Sequence, residues 1–393
     1  MGANSLQTWL ITPHDPLVFR DGKPFTAIPG SRARSMPFPS PATLAGAVRT
    51  RSAALDNGGR FPTGDQNVIN RILGFQVIGP LLFDVRRQEL LVPAPRDALF
   101  VQLEQPDEAR ARLMPLRPWQ ESQEVLTNLP AGLRLVGPIS SATGKEHSKA
   151  PQFWRWERIE AWLRAPEIVE SANLHEWGLQ RLPMDTRTHV SIERGTGTAR
   201  EGALFQTSGL TLLQVPQRGR LPALSESTEF AFVVQTDAQP FAPGLDTLGG
   251  ERRVVWWQAC DRSIPSCPEE IRRAILEIRR GRLILVTPAW FEKGYMPEWL
   301  LQHPTGVKLK IVGAAVGRPT YASGWDYAKK APKPARRLAP AGSVYFFEIT
   351  QGSETAIERF IDSVWMKPIS DGEQERRDGF GVALLGTWLD EEA

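Results

Sequence analysis

The stretch GFGVALLG, Gly379 to Gly386, sets three glycines into an apolar run with the spacing G-x-G-x-x-x-x-G. Glycine has no Cβ, so such a run adopts positive φ angles and lets backbone N–H groups approach an anion closely. A dinucleotide-binding fingerprint needs a helix and another strand after its glycines, and the seven residues after Gly386 supply neither. The stretch therefore predicts a last strand beside a glycine-rich loop, either as a seat for a phosphate backbone or as a closing strand without a ligand.

Regular elements precede this strand throughout the C-terminal half. A helix is predicted over 268–281, with Pro268 in its first turn and Gly281 as its end. A second helix is predicted from Ser353, because apolar residues recur there at helical spacing. The predicted strands are Thr228–Thr236, Arg252–Ala259, Leu283–Thr287, Val307–Val316 and Ser343–Thr350. Strand–helix–strand, repeated twice, is the order of the ferredoxin-like split βαβ unit, here with insertions.

The N-terminal half predicts a second unit of the same kind. Its elements are a strand at Leu6–Thr12, a helix at Ala42–Leu55, a hairpin of Gln76–Asp84 with Glu89–Val92, and a helix at Trp154–Arg164. The predicted fold class is α+β, with two ferredoxin-like (RRM-like, βαββαβ) domains that carry insertions. We place the N-terminal domain at 1–215 and the C-terminal domain, which ends in the glycine-rich loop, at 216–393.

Composition excludes several classes of protein. The 393 residues carry a net charge of only +3, so any nucleic-acid surface is expected as a local patch. Two cysteines, Cys260 and Cys267, and five scattered histidines provide no disulfide framework or zinc site. No apolar leader follows Met1 and no apolar run reaches a membrane-spanning length. We expect a cytoplasmic protein with no membrane span, no metal and no cofactor.

Positive charge is concentrated in two stretches. Residues 18–51 hold six basic side chains against one acid, Asp21, and residues 308–342 hold eight against one acid, Asp326. A run of charge is usually a solvated loop, but two such runs on a fold whose sheet often binds RNA favour a nucleic-acid groove.

Motifs for catalysis are incomplete. The stretch Ile139–Lys145 lacks the first glycine of a P-loop, and Glu146 stands where the hydroxyl residue is required. His14-Asp15 has no further ligands around it in sequence, and His189 has no identifiable acid–base partner. No hydrolase, metalloprotease or polymerase motif is present.

Several separate motifs resemble those of one family, the subunit-three proteins of the Cmr complex, Cas-five-like RAMP proteins of type III-B CRISPR–Cas systems. The resemblance rests on Ile11–Phe25 (ITPHDPLVFRDGKPF), Pro39–Arg49 (PSPATLAGAVR), Arg187–Ile192 (RTHVSI) with Thr196–Ala199, Leu248–Arg253 (LGGERR), Gly317–Pro319, Ser323–Asp326 and Gly379–Gly386. These motifs are spread over nearly the whole chain, but residues 119–180 carry no signature.

The resemblance implies a non-catalytic subunit that holds the 5′ handle of the crRNA at the base of an effector ribonucleoprotein. Its implied partners are the large polymerase-like Cas subunit, the first RAMP backbone subunit and, indirectly, target RNA, in a hetero-oligomer. The predicted RNA-binding residues are Arg20, Lys23, Arg32, Arg34, Thr43, Arg49, Arg187, His189, Arg194, Arg252, Arg253, Arg318, Arg337, Gly379, Gly381 and Gly386. Two alternatives remain: a metal-independent endoribonuclease that processes precursor crRNA with His14 or His189 as its base, and a protein scaffold without RNA contact.

Overall fold

The protein has a mixed α/β fold with several sheets. The computed structural model describes residues 5–20, 32–33, 35–62, 64–120, 127–138, 144–215, 226–326, 331–332 and 334–388. The helices are α1 (Pro41–Asp56), α2 (Gln66–Leu73), α3 (Trp156–Arg164), α4 (Leu174–Trp177), α5 (Glu269–Ile278), α6 (Glu298–Leu301), α7 (Glu354–Val364) and α8 (Glu373–Arg377).

The strands follow in chain order: β1 (Gln7–Pro13), β2 (Arg32–Ala33), β3 (Val77–Asp84), β4 (Glu89–Pro93), β5 (Ala98–Val101), β6 (Arg110–Pro118), β7 (Val136–Pro138), β8 (Phe153–Arg155), β9 (Val169–Asn173), β10 (Gly178–Leu179), β11 (Met184–Ile192), β12 (Ala199–Leu210), β13 (Leu213–Gln214), β14 (Thr228–Thr236), β15 (Gly244–Thr247), β16 (Val254–Ala259), β17 (Arg280–Leu285), β18 (Lys308–Ala315), β19 (Thr320–Ala322), β20 (Trp325–Asp326), β21 (Ala331–Pro332), β22 (Arg336–Leu338), β23 (Val344–Gln351) and β24 (Ala383–Gly386). Within the described part of the chain, none of the helices is long and apolar enough to cross a membrane.

The chain divides into two compact units, each assembled from three separate segments. Unit 1 comprises residues 1–88, 182–261 and 321–336, and unit 2 comprises 89–181, 262–320 and 337–393. This division differs from the contiguous domains 1–215 and 216–393 that the sequence predicts. The strands β14 and β16 fall in the predicted C-terminal domain, yet β14 pairs with β1 and β3 and β16 pairs with β1, all in unit 1. Periodicity identifies a strand but not its partners.

The sheet of unit 1 is antiparallel, with the order β3-β14-β1-β16-β15. Helix α1 connects its first strand, β1, to its second, β3, and packs against β3. Ile11, Phe232 and Trp257 lie in register across the three central strands and are completely buried. Apart from the short edge strand β15, the third of these strands, β14, lies between the first and the second, and the fourth, β16, lies on the first strand's other side.

The sheet of unit 2 has the same relative order. Strands β17, β18, β23 and β24 are the first to fourth in sequence, and they pair antiparallel as β18-β23-β17-β24. Helix α7 connects the third strand to the fourth, begins at the N-cap Ser353, and buries Ile357, Phe360, Ile361 and Val364 as its spacing predicts. Only the four-residue α6 lies between the first strand and the second.

The predicted helix over 268–281 is shorter in the structure. It ends at Ile278, because Arg279 takes a left-handed conformation with φ 54°. Gly281, predicted to end the helix, lies instead within β17, where a Cβ would come within 2.7 Å of the Phe347 ring. Close packing against that ring, and not helix termination, accounts for this glycine.

Residues 119–180, which have no recognisable signature, form much of an aromatic core in unit 2. Trp154 is completely buried and makes edge contacts with Phe100, Trp162 and Trp177. Nearby, the buried Arg282 of β17 forms an ion pair with the buried Asp97, which also accepts a hydrogen bond from the indole N–H of Trp162 at 3.0 Å. Packing in this core accounts for three of the 13 tryptophans of the sequence, Trp154, Trp162 and Trp177.

Candidate nucleic-acid interface

The glycine-rich loop is held by hydrogen bonds within unit 2. Gly379 and Gly381 have φ angles of 88° and 83°, so the expected positive φ is confirmed at both. The N–H groups of residues 379–382 donate, in chain order, to Arg376 O at 3.1 Å, Glu375 O at 2.9 Å, Pro288 O at 2.9 Å and Thr287 Oγ1 at 2.8 Å. All four donors are therefore used inside the protein, and this conformation offers none of them to a phosphate.

Close packing gives these glycines a structural role. A Cβ on Gly381 would lie 3.0 Å from the Ser370 N and Oγ atoms. Gly386 lies in the buried strand β24, opposite Arg282, where a Cβ would lie 3.0 Å from Nη2 of that arginine. Of the two alternatives from the sequence, this conformation corresponds to a closing strand without a ligand. Glycine is needed there because neighbouring atoms lie too close for a Cβ.

An exposed hairpin of β11 and β12 carries three of the predicted residues, Arg187, His189 and Arg194. Its strands pair in register from Met184↔Leu210 to Val190↔Leu204. His189 lies opposite Phe205, and the two rings stack with centroids 5.2 Å apart and planes 18° apart. His189 Nε2 also shares a hydrogen bond of 2.8 Å with Thr207 Oγ1, which fixes the ring on this face. A flat, fixed aromatic pair on an exposed strand suits the stacking of unpaired bases.

Residues 17–20 connect this hairpin to the turn Gly249–Arg253, which belongs to the LGGERR motif. Leu17 pairs with Leu210 at the base of β12, and Val18 pairs with Gly250. Gly249 has a φ of 75°, and a Cβ there would lie 2.6 Å from the Val18 carbonyl oxygen. The close approach that glycine permits holds the turn against the segment that ends in Arg20.

The turn places two arginines against one carboxylate, with a third arginine next to them in sequence. Glu251 accepts ion pairs from Arg20 at 3.5 Å and from Arg253 at 2.7 Å. Arg252 is exposed, and the described residues include no ion-pair partner for it. One carboxylate against three guanidiniums leaves a local positive charge, and a carboxylate that holds two guanidiniums orders them for phosphate contact.

Arg49 and Arg51 have structural roles in unit 1. Arg49 is 7% exposed and donates from Nη2 to the Phe75 carbonyl at 3.1 Å. Arg51 is 5% exposed and binds the carboxylate of Asp246 and the carbonyls of Ala242 and Leu245. The prediction that Arg49 contacts RNA does not fit this burial, because a guanidinium enclosed by protein oxygens cannot reach a phosphate at the surface.

The remaining predicted residues of unit 1, where the structure describes them, lie in the hairpin, in β2 or in α1. Arg32 lies in β2, which pairs parallel to β12 at Gln206 and Thr207. Arg187 is exposed and bonds Asp185 at 2.8 Å, and Arg194 lies exposed in the hairpin connection. Thr43 is half-buried in the first turn of α1. Lys23 and Arg34 lie outside the described residues.

In unit 2, Arg318 and Arg337 are both exposed. The guanidinium of a third exposed arginine, Arg96, packs so closely on Gly317 that a Cβ there would lie 2.3 Å from its Cζ atom. Arg96 therefore extends the basic surface at Arg318. Sequence reasoning misses it, because it lies about 220 residues away in a stretch without a motif.

The two candidate catalytic histidines make contacts within the protein. His189 is engaged with Thr207 and Phe205, and the backbone N–H of the exposed His14 donates to Val254 O at 3.0 Å. In the described part of the chain, no three His, Cys, Asp or Glu side chains cluster in a way that would hold a metal ion.

Comparison with known proteins identifies the family. The family model "CRISPR-associated protein (Cas_Cmr3)" matches residues 9–388. The chain belongs to this family, the Cmr3 subunits of type III-B CRISPR complexes. The resemblance found in the sequence is thereby confirmed. No curated protein matches the sequence.

Three solved structures are similar to the chain. A chain of the cryo-EM structure of type III-B Cmr-beta bound to cognate target RNA and AMPPnP is 19% identical, with 86% of each chain covered and a TM-score of 0.45. A second Cmr-beta structure, bound to cognate target RNA, gives 16% identity, 86% coverage of each chain and a TM-score of 0.46. A chain of the Csm3-Csm4 subcomplex of the type III-A interference complex gives 11% identity, coverage of 86% of this chain and 92% of that one, and a TM-score of 0.34.

Within this Cmr3 subunit, the structure adds one residue that the sequence motif contains but that sequence reasoning left without a role. Glu251 is the acidic member of LGGERR, and only the structure reveals that it joins Arg20 to Arg253. The available signal was a lone acid inside a basic motif, which is also what an ordinary solvated turn contains.

Proposed function

We propose that this Cmr3 subunit is a non-catalytic RNA-binding component that holds the 5′ handle of the crRNA in an antiviral effector complex. One observation carries the proposal: Arg20, Arg252 and Arg253 gather at one turn, beside a hairpin that carries the half-buried, stacked His189–Phe205 pair. Guanidiniums neutralise the phosphates, and the ring pair accepts an unstacked base.

Two ferredoxin-like domains form part of the same proposal. In each unit four strands lie in the order 2-3-1-4 when numbered along the chain, with every neighbour antiparallel: β1, β3, β14 and β16 in unit 1, and β17, β18, β23 and β24 in unit 2. This order supports a βαββαβ topology. Unit 1 retains the first crossover helix, α1, and unit 2 retains the second, α7. We propose that each unit is a ferredoxin-like domain that has lost one crossover helix.

The partners in the proposal are those that the family resemblance implies: the large polymerase-like subunit, the first backbone subunit and, indirectly, target RNA. The subunit would act in the cytoplasm as part of a hetero-oligomer. It would position the guide RNA, while neighbouring subunits carry out the chemistry.

Salt dependence tests the proposed phosphate contacts. The variant replaces Arg20, Arg252 and Arg253 together by Ala. Fluorescence anisotropy measures its binding to a labelled, repeat-derived single-stranded RNA at several salt concentrations. Each phosphate contact to a single strand contributes about −0.7 to the slope of log binding constant against log salt concentration. Loss of three contacts should therefore flatten this slope by about two units. The matched control replaces three exposed arginines elsewhere in unit 1, Arg60, Arg71 and Arg87, and should keep the wild-type slope. Equal slopes in the two variants would refute the placement of the RNA.

The second candidate function is an endoribonuclease, which would release a cleaved RNA where a binding subunit leaves the RNA intact. Incubation of the purified protein with labelled repeat RNA should give a shifted band without cleavage. A cleaved product that disappears on replacing His14 and His189 by Ala, with binding retained, would establish the nuclease instead. Neither a shift nor cleavage would favour the scaffold.

A further inference from the structure

Two adjacent tryptophans of β16 occupy opposite faces of the unit 1 sheet. Trp257 is completely buried against Phe241, with ring centroids 5.3 Å apart. Trp256 points to the other face and is 38% exposed, the largest exposure among the tryptophans whose side chains the structure describes. Alternation along the strand explains the difference, but packing gives no reason for an indole on the open face.

The surroundings of Trp256 are open and uncharged. Its cross-strand neighbours are Thr12 on β1 and Leu245 on β15, and Leu245 is 61% exposed. Two residues along its own strand lie Val254 and Gln258 on the same face. The indole therefore has an exposed apolar neighbour on one side and side chains capable of hydrogen bonding on two others, and no charged side chain adjoins it in register.

Positive charge lies at the beginning of the same strand. β16 starts at Val254, directly after Arg252 and Arg253, and Arg253 shares Glu251 with Arg20. At about 3.3 Å per residue, Trp256 lies about 13 Å along the chain from Arg252. A strand that leads from a guanidinium cluster to an exposed indole offers phosphate contacts first and a stacking surface next.

This combination distinguishes single-stranded RNA from other occupants of the face. Paired bases are already stacked and present no free ring surface, whereas an unpaired base stacks on an aromatic side chain without regard to its identity. A protein partner suits the Trp256–Leu245 pair but gives no role to the adjacent arginines. The charge therefore favours RNA.

We infer that Trp256 is a base-stacking platform for an unpaired nucleotide of RNA whose phosphates lie at the Gly249–Arg253 turn. The inference rests on the proposed RNA-binding function and adds a second stacking position, separate from His189 and Phe205. Leu245 extends the apolar floor beside the indole, and Gln258 and Thr12 are placed to hydrogen-bond the edge of the base.

Anisotropy measurements with the full-length protein and a labelled repeat-derived single strand test this platform. Trp256→Ala should weaken binding by about 5- to 150-fold, the range expected for loss of one base–aromatic stack. Trp256→Phe should restore most of the affinity. The slope of affinity against salt should stay at the wild-type value, because no phosphate contact is lost. Tyr295→Ala, which removes another exposed aromatic ring, is the matched control and should bind as wild type.

Abasic substitution identifies the base. When each nucleotide is made abasic in turn, one position should weaken binding to the wild type but not to Trp256→Ala. Wild-type affinity in Trp256→Ala, with a normal salt slope in both proteins, would overturn the platform and leave the proposed function intact. If the same variant also failed to assemble with its partner subunits, the face would belong to a protein. Absence of RNA binding by the wild type would overturn the proposed function itself.

Discussion

At the scale of single residues, a comparison of Gly381 with Gly294 distinguishes two effects of replacing glycine: backbone strain at positive φ and steric overlap of the new Cβ. Their φ angles are nearly equal, 83° and 84°, but a Cβ on Gly294 meets open space, whereas one on Gly381 would lie 3.0 Å from Ser370. We expect Gly294→Ala to lower the free energy of unfolding by about 1 to 2 kcal/mol, the cost of a left-handed alanine. Gly381→Ala should lower it further, because Ser370 must also move. Urea unfolding measures the free energy of unfolding of both variants. Equal decreases would show that Ser370 moves away from the new Cβ without an energetic cost.

Also at this scale, His303 makes stability depend on pH. The ring packs against Trp299 and Phe360. Burial lowers its pKa to about 4, and the neighbouring Arg376 acts in the same direction. Between the ordinary value of about 6.5 and the folded value of about 4, the unfolded state binds more protons. The free energy of unfolding should therefore fall as pH falls through this window, with no contribution above it.

His303→Gln removes this titration. Urea unfolding at about pH 7.5 and about pH 5 should show a smaller loss of stability on acidification in the variant than in the wild type. Burial raises the pKa of Asp371, so this group favours the folded state more as pH falls, opposite to His303. Asp371 is the same in both proteins, so its contribution cancels in the comparison. An identical loss in the two proteins would show that His303 is protonated without cost in the folded state.

At the scale of elements, the β11–β12 hairpin combines regular pairing with little burial. Every side chain of β11 is exposed or half-buried, whereas six of the nine residues of β14 are buried. Backbone bonds without buried side chains open more readily. The amides of 185–190 should therefore exchange hydrogen faster than those of 230–234 in the free protein.

RNA should slow exchange in the hairpin if His189 and Phe205 stack on bases. Hydrogen-exchange mass spectrometry with and without repeat RNA measures this, and His189→Ala with Phe205→Ala is the variant in which protection should disappear. Protection that survives the double substitution would assign the contact to another part of the hairpin.

At the scale of the whole molecule, unit 1 depends on strands that are distant in sequence. β14 lies between β1 and β3, and β16 lies on the other side of β1. A fragment of residues 1–215 lacks both, so β1 loses its two neighbours in the sheet, and Ile11 loses its buried cross-strand partners Phe232 and Trp257. We expect it to show no cooperative thermal transition by circular dichroism, in contrast to the full chain. A cooperative transition in the fragment would restore the contiguous domain predicted from sequence.

The sequence by itself determined the elements and the family. Helical spacing located α7 by its apolar face, runs of apolar residues located β14 and β23, and motifs dispersed from Ile11 to Gly386 indicated the subunit-three family. These signals are local, because each depends on neighbours within a few residues or on a short motif. Arginine-rich motifs likewise identified Arg20 and Arg253 without any knowledge of their partners.

Only the tertiary structure decided which strands share a sheet and which arginines face solvent. Arg49 and Arg20 belong to the same basic run, yet Arg49 is enclosed at Phe75 while Arg20 meets Glu251 at the surface. The glycine loop, which sequence reasoning left as either phosphate seat or closing strand, has its N–H groups bonded to protein oxygens. Burial and hydrogen-bond partners arise from contacts between residues far apart in the chain, so no local pattern encodes them.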